Sequence, residues 1–159
     1  MKADNALALG GQIRGPRQVD SFTPRGKAAI HALLPAVAFL LGPPVSGPAV
    51  LTVGAMMGLS SLAGPRFSLI GRLFNHLLRP ALRMGAGAPE PAAPHRFAEA
   101  VGAVFLLASG LAYLSSQAGL GDALALIVVG LALVNASLGI CVGCIIYTGA
   151  LRFRVRTDG

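Results

Sequence analysis

The stretch ALALIVVGLALVNASLGICVGCIIY, residues 123–147, runs without a single charged side chain. A bilayer's hydrocarbon core is about 30 Å thick and takes ~20 helical residues to cross, so this stretch reads as one transmembrane helix. It also carries both cysteines of the chain, Cys141 and Cys144. The course of this one segment therefore decides the fold and the setting of the chain's most reactive side chains.

Three further apolar segments lie upstream, over residues 26–41, 49–63 and 96–114, and GPPVSGP at 42–48 reads as a turn between the first two. The first two are short for a crossing and must borrow flanking residues or sit in thinned lipid. The composition agrees with a membrane protein, because 54% of residues are hydrophobic, only 12% are charged, and mean hydropathy is +0.69. Abundant glycine suits helices that approach closely in lipid. No cleavable signal peptide is evident, since residues 1–25 have no continuous apolar core and read as a flexible polar leader. The expected fold is all-α: an integral membrane bundle of four transmembrane helices across 26–151, with a basic tail at 152–159.

Charge supplies the topology. Lys2, Arg14, Arg17, Arg25 and Lys27 precede the first span; Arg66, Arg72, Arg79, Arg83 and Arg96 lie between the second and third; Arg152, Arg154 and Arg156 follow the fourth. Those are all 13 cations, and with four crossings every one falls on the same side. The positive-inside rule makes that side, and both termini, cytoplasmic. The net charge of +7 does not point to nucleic acid, because no basic stripe interleaved with aromatics is present.

Residues 66–84 (RFSLIGRLFNHLLRPALRM) form a unit of their own. At 100° per residue, Arg72, His76, Arg79 and Arg83 share one arc, opposite Phe67, Ile70, Phe74, Leu77, Leu78 and Ala81. This is an interfacial helix suited to anionic lipid headgroups or to a docking partner, and Pro80 should kink or end it. The GAGAPEPAAP stretch that follows is a linker.

Read as part of one long helix, Cys141 and Cys144 fall in its last two turns, near the cytoplasmic boundary. Three readings stand: a redox or sulfur-handling pair, two packed membrane cysteines, or a metal site. A helix C-terminus carries partial negative charge, which disfavours thiolate. A metal would need more ligands; His95 at the start of the third span is a candidate, with His76 and His31 scattered elsewhere. A second stripe of Asn135, Gly139, Gly143 and Tyr147 reads as a helix-packing seam, with Asn135 hydrogen-bonding to a neighbouring span. Glu99 lies within the third span, where Arg96 one turn earlier would neutralise it.

Val19-Asp20 with Arg25, Pro94-His95-Arg96-Phe97 with Gly102, Leu133-Val134-Asn135-Ala136, and Gly139-x-Cys141-x-Gly143-Cys144-x-x-Tyr147 together resemble the bacterial family of domain of unknown function 4395. The resemblance covers roughly residues 19–147. It implies a small bacterial inner-membrane protein in which the Cys-x-x-Cys belongs to the family pattern, and it names no reaction or cofactor. It also implies a thioredoxin-like or rhodanese-like partner for any redox role. Two functions follow: a membrane thiol protein whose Cys141 and Cys144 exchange with a cytoplasmic thiol protein or a membrane quinone, or a non-catalytic subunit or scaffold that binds anionic lipid or a partner protein.

Overall fold

The computed structural model describes residues 18–64, 67–85 and 87–157. Elements run in the order β1 (Gln18–Asp20), α1 (Phe22–Leu41), α2 (Pro43–Ala63), α3 (Leu69–Leu73), a π-helical turn (Phe74–Leu78), α4 (Arg79–Ala81), β2 (Pro89–Pro91), α5 (Ala92–Leu114), α6 (Ala118–Leu138) and α7 (Val142–Thr157). The expected leader up to residue 17, and the side chains of Arg66, Arg154 and Arg156, lie outside the described residues.

The first hairpin is tighter than expected. Asp20 accepts the Phe22 N–H at 3.0 Å and starts α1 at Phe22 rather than Gly26. Pro24 is tolerated there because first-turn N–H groups have no helical partner. Gly42, at φ 87°, ends α1, and Pro43 and Pro44 begin α2 at once. The turn expected over 42–48 thus contracts to one residue, Pro43 and Pro44 become the first turn of a helix, and Pro48 lies inside it. Ser46 Oγ donates back to the Ala38 carbonyl at 2.9 Å and holds the corner. The two short spans become helices of 20 and 21 residues, ~30 Å each at 1.5 Å per residue.

α2 lies along α5, α1 along α6, and α5 also touches α6 and α7. Val50, Val53 and Met57 of α2 meet Ala103 and Leu106 of α5 and Ala125 and Val128 of α6 in the core. Leucines such as Leu40, Leu62 and Leu114 stand exposed on the outside. Pro44–Ala63, Ala92–Leu114 and Ala118–Leu138 are long and apolar enough to cross a membrane. α1 matches them in length but carries Arg25 and Lys27 near its start.

Lys27, Arg96 and Glu99 gather at one end of the bundle, while Asp122 at the start of α6 accepts from Tyr113 at the other. Lys27 of α1 forms an ion pair with Glu99 of α5, and Ser60 of α2 bridges it, accepting from Lys27 Nζ at 3.2 Å and donating to Glu99 Oε2 at 2.9 Å. Arg96 does not neutralise Glu99, as the one-turn spacing suggested. Its guanidinium reaches across to the last carbonyls of α2, at 2.7 Å from Ser61 O and 3.0 Å from Leu62 O. Those carbonyls have no helical partner of their own, so a cation from the neighbouring helix caps them.

The segment between α2 and α5 also departs from a free amphipathic helix. Ile70 and Phe74 are buried, and the segment contacts α1. Arg79 turns inward, pairing with Asp20 at 3.0 Å and donating to Gly85 O at 2.6 Å. Arg72, His76 and Arg83 stay on the surface. Helical structure ends just past Pro80, at Ala81, and Arg83 takes a left-handed conformation with φ 51°. Part of the expected linker pairs as β2 with β1, Val19 opposite Glu90. Burial pushes the Asp20 carboxyl up, but the Gly87 and Phe22 N–H groups and Arg79 outweigh it and hold it below its usual range.

The largest correction concerns residues 123–147. They are not one helix: α6 stops at Leu138, Gly139 adopts φ 69°, and α7 starts at Val142. Gly139 donates its N–H to Asn135 O at 3.0 Å, so it closes a helix instead of joining a packing seam.

Two measurements check these contacts. Lys27→Met or Glu99→Leu alone leaves a largely buried charge unpaired and should lower stability in micelles by about 3–5 kcal/mol, with the double substitution recovering most of the loss. Because the folded Asp20 pKa is depressed, its contribution to stability should be complete above the unfolded carboxylate pKa and vanish as pH falls through the folded value. Asp20→Asn should flatten that acid limb of the unfolding profile.

Candidate functional site

Gly139 sets the site's geometry. By ending α6 it frees residues 139–141 to turn, and Cys141 arrives immediately before a new helix. The Cys141 carbonyl accepts the Ile145 N–H at 3.1 Å, and its Sγ accepts the Cys144 N–H at 3.3 Å. Those are the two bonds of a helix N-cap, with sulfur in the place of the usual oxygen. The pair therefore sits at a helix N-terminus, where partial positive charge favours thiolate, opposite to the reading of one long helix.

Cys141 and Cys144 are joined by a disulfide, with their Cα atoms 5.1 Å apart. His95, in the first turns of α5, places Nδ1 at 3.5 Å from Cys144 Sγ. Its Nε2 lies 2.8 Å from Glu90 Oε2 on β2. A carboxylate at Nε2 makes that nitrogen the donor and leaves the Nδ1 lone pair toward the sulfur. The arrangement is an acid, an imidazole and a cysteine in series, able to take a proton from Cys144 or return one to it. In the reduced state it also offers a metal two thiolates and an imidazole, since His95, Cys141 and Cys144 ligand atoms all lie within 4.8 Å of one another.

α7 reaches this position by docking on α5. Phe97 and Tyr147 rings meet at 5.5 Å, and Gly143 lies flat against Ala98. A Cβ at Gly143 would fall 2.7 Å from Ala98 Cβ and 2.9 Å from its Cα. The expected seam is thus divided: Gly143 and Tyr147 face α5, Gly139 is a helix terminator, and Asn135 borders a cavity. Among the described residues, the Asn135 side chain makes no hydrogen bond to another span.

That cavity, about 160 Å³, extends from Cys141 and His95 into the bundle. Its polar wall includes His31, Glu99 and Asn135; Met57, Phe105 and Val128 form much of the rest. A smaller one of about 70 Å³ shares Glu99 and His95 and reaches Lys27 and Ser60. Of the residues singled out from sequence, the fold brings Cys141, Cys144 and His95 together, and leaves Arg72, His76, Arg79 and Arg83 on a separate segment. Glu90 and Ser60 carry no signal in the sequence, and Lys27 reads there only as one of the cations that orient the first span. Glu90 sits in a proline-rich stretch that reads as linker, and only strand pairing with β1 aims it at His95.

Gly143→Ala should push α7 away from α5 and destabilise the protein by about 1–3 kcal/mol, as overpacking does. Ala98→Gly in the same chain should restore both the unfolding midpoint and the reduction rate of the disulfide, measured side by side in micelles.

Neither the curated proteins nor the solved structures contain a match to this chain. The sequence profile of the domain of unknown function DUF4395 matches residues 19–152, from the first strand through most of α7, and the chain belongs to that family.

Proposed function

We propose that this is a bacterial inner-membrane protein that carries out thiol–disulfide exchange through Cys141 and Cys144. The observation that carries the reading is the placement of the pair: Cys141 at the N-terminus of α7, Cys144 against the His95–Glu90 pair. Cys141 is the sulfur that enters the mixed disulfide, because the Cys144 N–H and the helix N-terminus stabilise the thiolate it becomes when displaced. Cys144 is the sulfur that leaves first, and His95 returns its proton. In the exchange an incoming dithiol attacks the disulfide, a mixed disulfide forms, and the second incoming thiol displaces it. The protein is left as a dithiol and its partner as a disulfide.

α1, α2, α5 and α6 are the four crossings in this reading. The Gly42 corner and the 115–117 turn, on one side, contain no Lys or Arg. The start of α1, the segment between α2 and α5, and α7 share the other, cytoplasmic side, where α7 follows the inner surface. Arg72, His76 and Arg83 then meet anionic headgroups, and a cytoplasmic thioredoxin-like or rhodanese-like protein is the exchange partner. Metal holding is a second reading, favoured by the convergence of His95, Cys141 and Cys144.

Membranes containing the protein, equilibrated across glutathione redox buffers and then alkylated, should show one reversible two-electron transition of the pair. Cys141→Ser and Cys144→Ser abolish it, and His95→Ala slows exchange by about 10²-fold. A disulfide that resists excess dithiothreitol until the protein is denatured overturns the proposal. Reduced cysteines that alkylate only after chelation decide for the metal.

A further inference from the structure

The cavity beside the disulfide bears on where the electrons go. This inference rests on the exchange reading above and names the pair's second substrate. The space of about 160 Å³ adjoins Cys141. An engineered apolar cavity of about 150 Å³ holds benzene, so one six-membered ring fits here. Its rim includes Val101, Ile127, Leu131 and Ile146, all exposed apolar side chains on the outside of the bundle. A guest therefore enters from hydrocarbon, and a charged, water-borne thiol is excluded from this route.

The inner wall is not wholly apolar. His31 is 4% exposed and borders the cavity, and among the described residues neither its ring nor the Asn135 amide has a protein hydrogen-bond partner. Both line the cavity, Asn135 only half-buried, so their polar atoms open onto it and are placed to meet a guest's hydrogen-bond acceptors. The required guest is ring-sized, lipid-soluble, carries acceptor oxygens and lies beside a two-electron sulfur couple.

We propose that this cavity binds the head ring of a lipid-soluble quinone, which oxidises the Cys141–Cys144 dithiol. The two S–H bonds break and the S–S bond forms. Two electrons and two protons pass to the two quinone oxygens, giving quinol and disulfide. His95 relays the Cys144 proton, and the dithiol is regenerated by the thiol partner of the exchange reaction.

The test uses the full chain in micelles with decylubiquinone as probe. Protein reduced and freed of reductant under anaerobic conditions should form one quinol per disulfide. The Cys141→Ser/Cys144→Ser variant should still bind the probe by equilibrium dialysis. Ala132→Phe, which fills the cavity, and His31→Leu, which removes a donor, should each weaken binding at least about tenfold while glutathione exchange continues, the fold-change expected from losing about 1.4 kcal/mol of contact. A pair that exchanges with glutathione but yields no quinol, or a double-serine variant that fails to bind, overturns the quinone proposal and leaves the exchange reading intact. A pair inert to glutathione and dithiothreitol as well overturns both.

Discussion

The left-handed conformation of Gly139 separates α6 from α7, and the arrangement of the polar end follows from that separation. An unbroken helix would carry Cys141 and Cys144 on toward its own C-terminus, with their backbone N–H groups spent on internal bonds. A break placed there instead gives Cys141 the role of N-cap and hands its sulfur the Cys144 N–H. Residues other than glycine pay a steric penalty at this φ, so a glycine at 139 is what allows the chain to turn there. The Arg25 side chain packs onto the same glycine, so the start of α1 closes over the break.

Around that break the helices meet with their polar groups already matched. Lys27, Ser60 and Glu99 come from three different helices and satisfy one another, while Arg96 covers the exposed carbonyls of α2. In lipid an unpaired charge or carbonyl is expensive, so such a network selects one register among helices whose outer surfaces are nearly featureless leucine and valine. The same register sets His95 one turn from Glu99 on α5, facing the sulfur pair. Packing and chemistry are thus coupled: what aligns α1, α2 and α5 also aims the imidazole.

The segment between α2 and α5 has a structural duty as well as an exposed surface. Arg79, which the helical wheel groups with Arg72, His76 and Arg83, is withdrawn to Asp20 and the carbonyl of Gly85. Asp20 in turn holds Gly87 and the first N–H of α1. This ties the short β1–β2 ladder to the bundle and positions Glu90 behind His95. A four-residue cationic arc read from periodicity becomes a surface group and one internal strut.

The sequence by itself determined what depends on local composition: the apolar runs, the gathering of cations into three segments, an amphipathic stretch before a proline, and the family signature around the cysteines. These are legible because burial in lipid and helical periodicity act residue by residue. Even Gly139 held a readable sign, since glycine after a helical run is a common terminator, but glycine-x-x-x-glycine is equally a packing motif and the two cannot be separated without neighbours. Tertiary structure alone decided that α7 is a new helix, that Glu99 pairs with Lys27 rather than Arg96, and that Glu90, His95 and Cys144 line up. Each of those joins residues distant in the chain, and whether such groups meet depends on how whole helices pack.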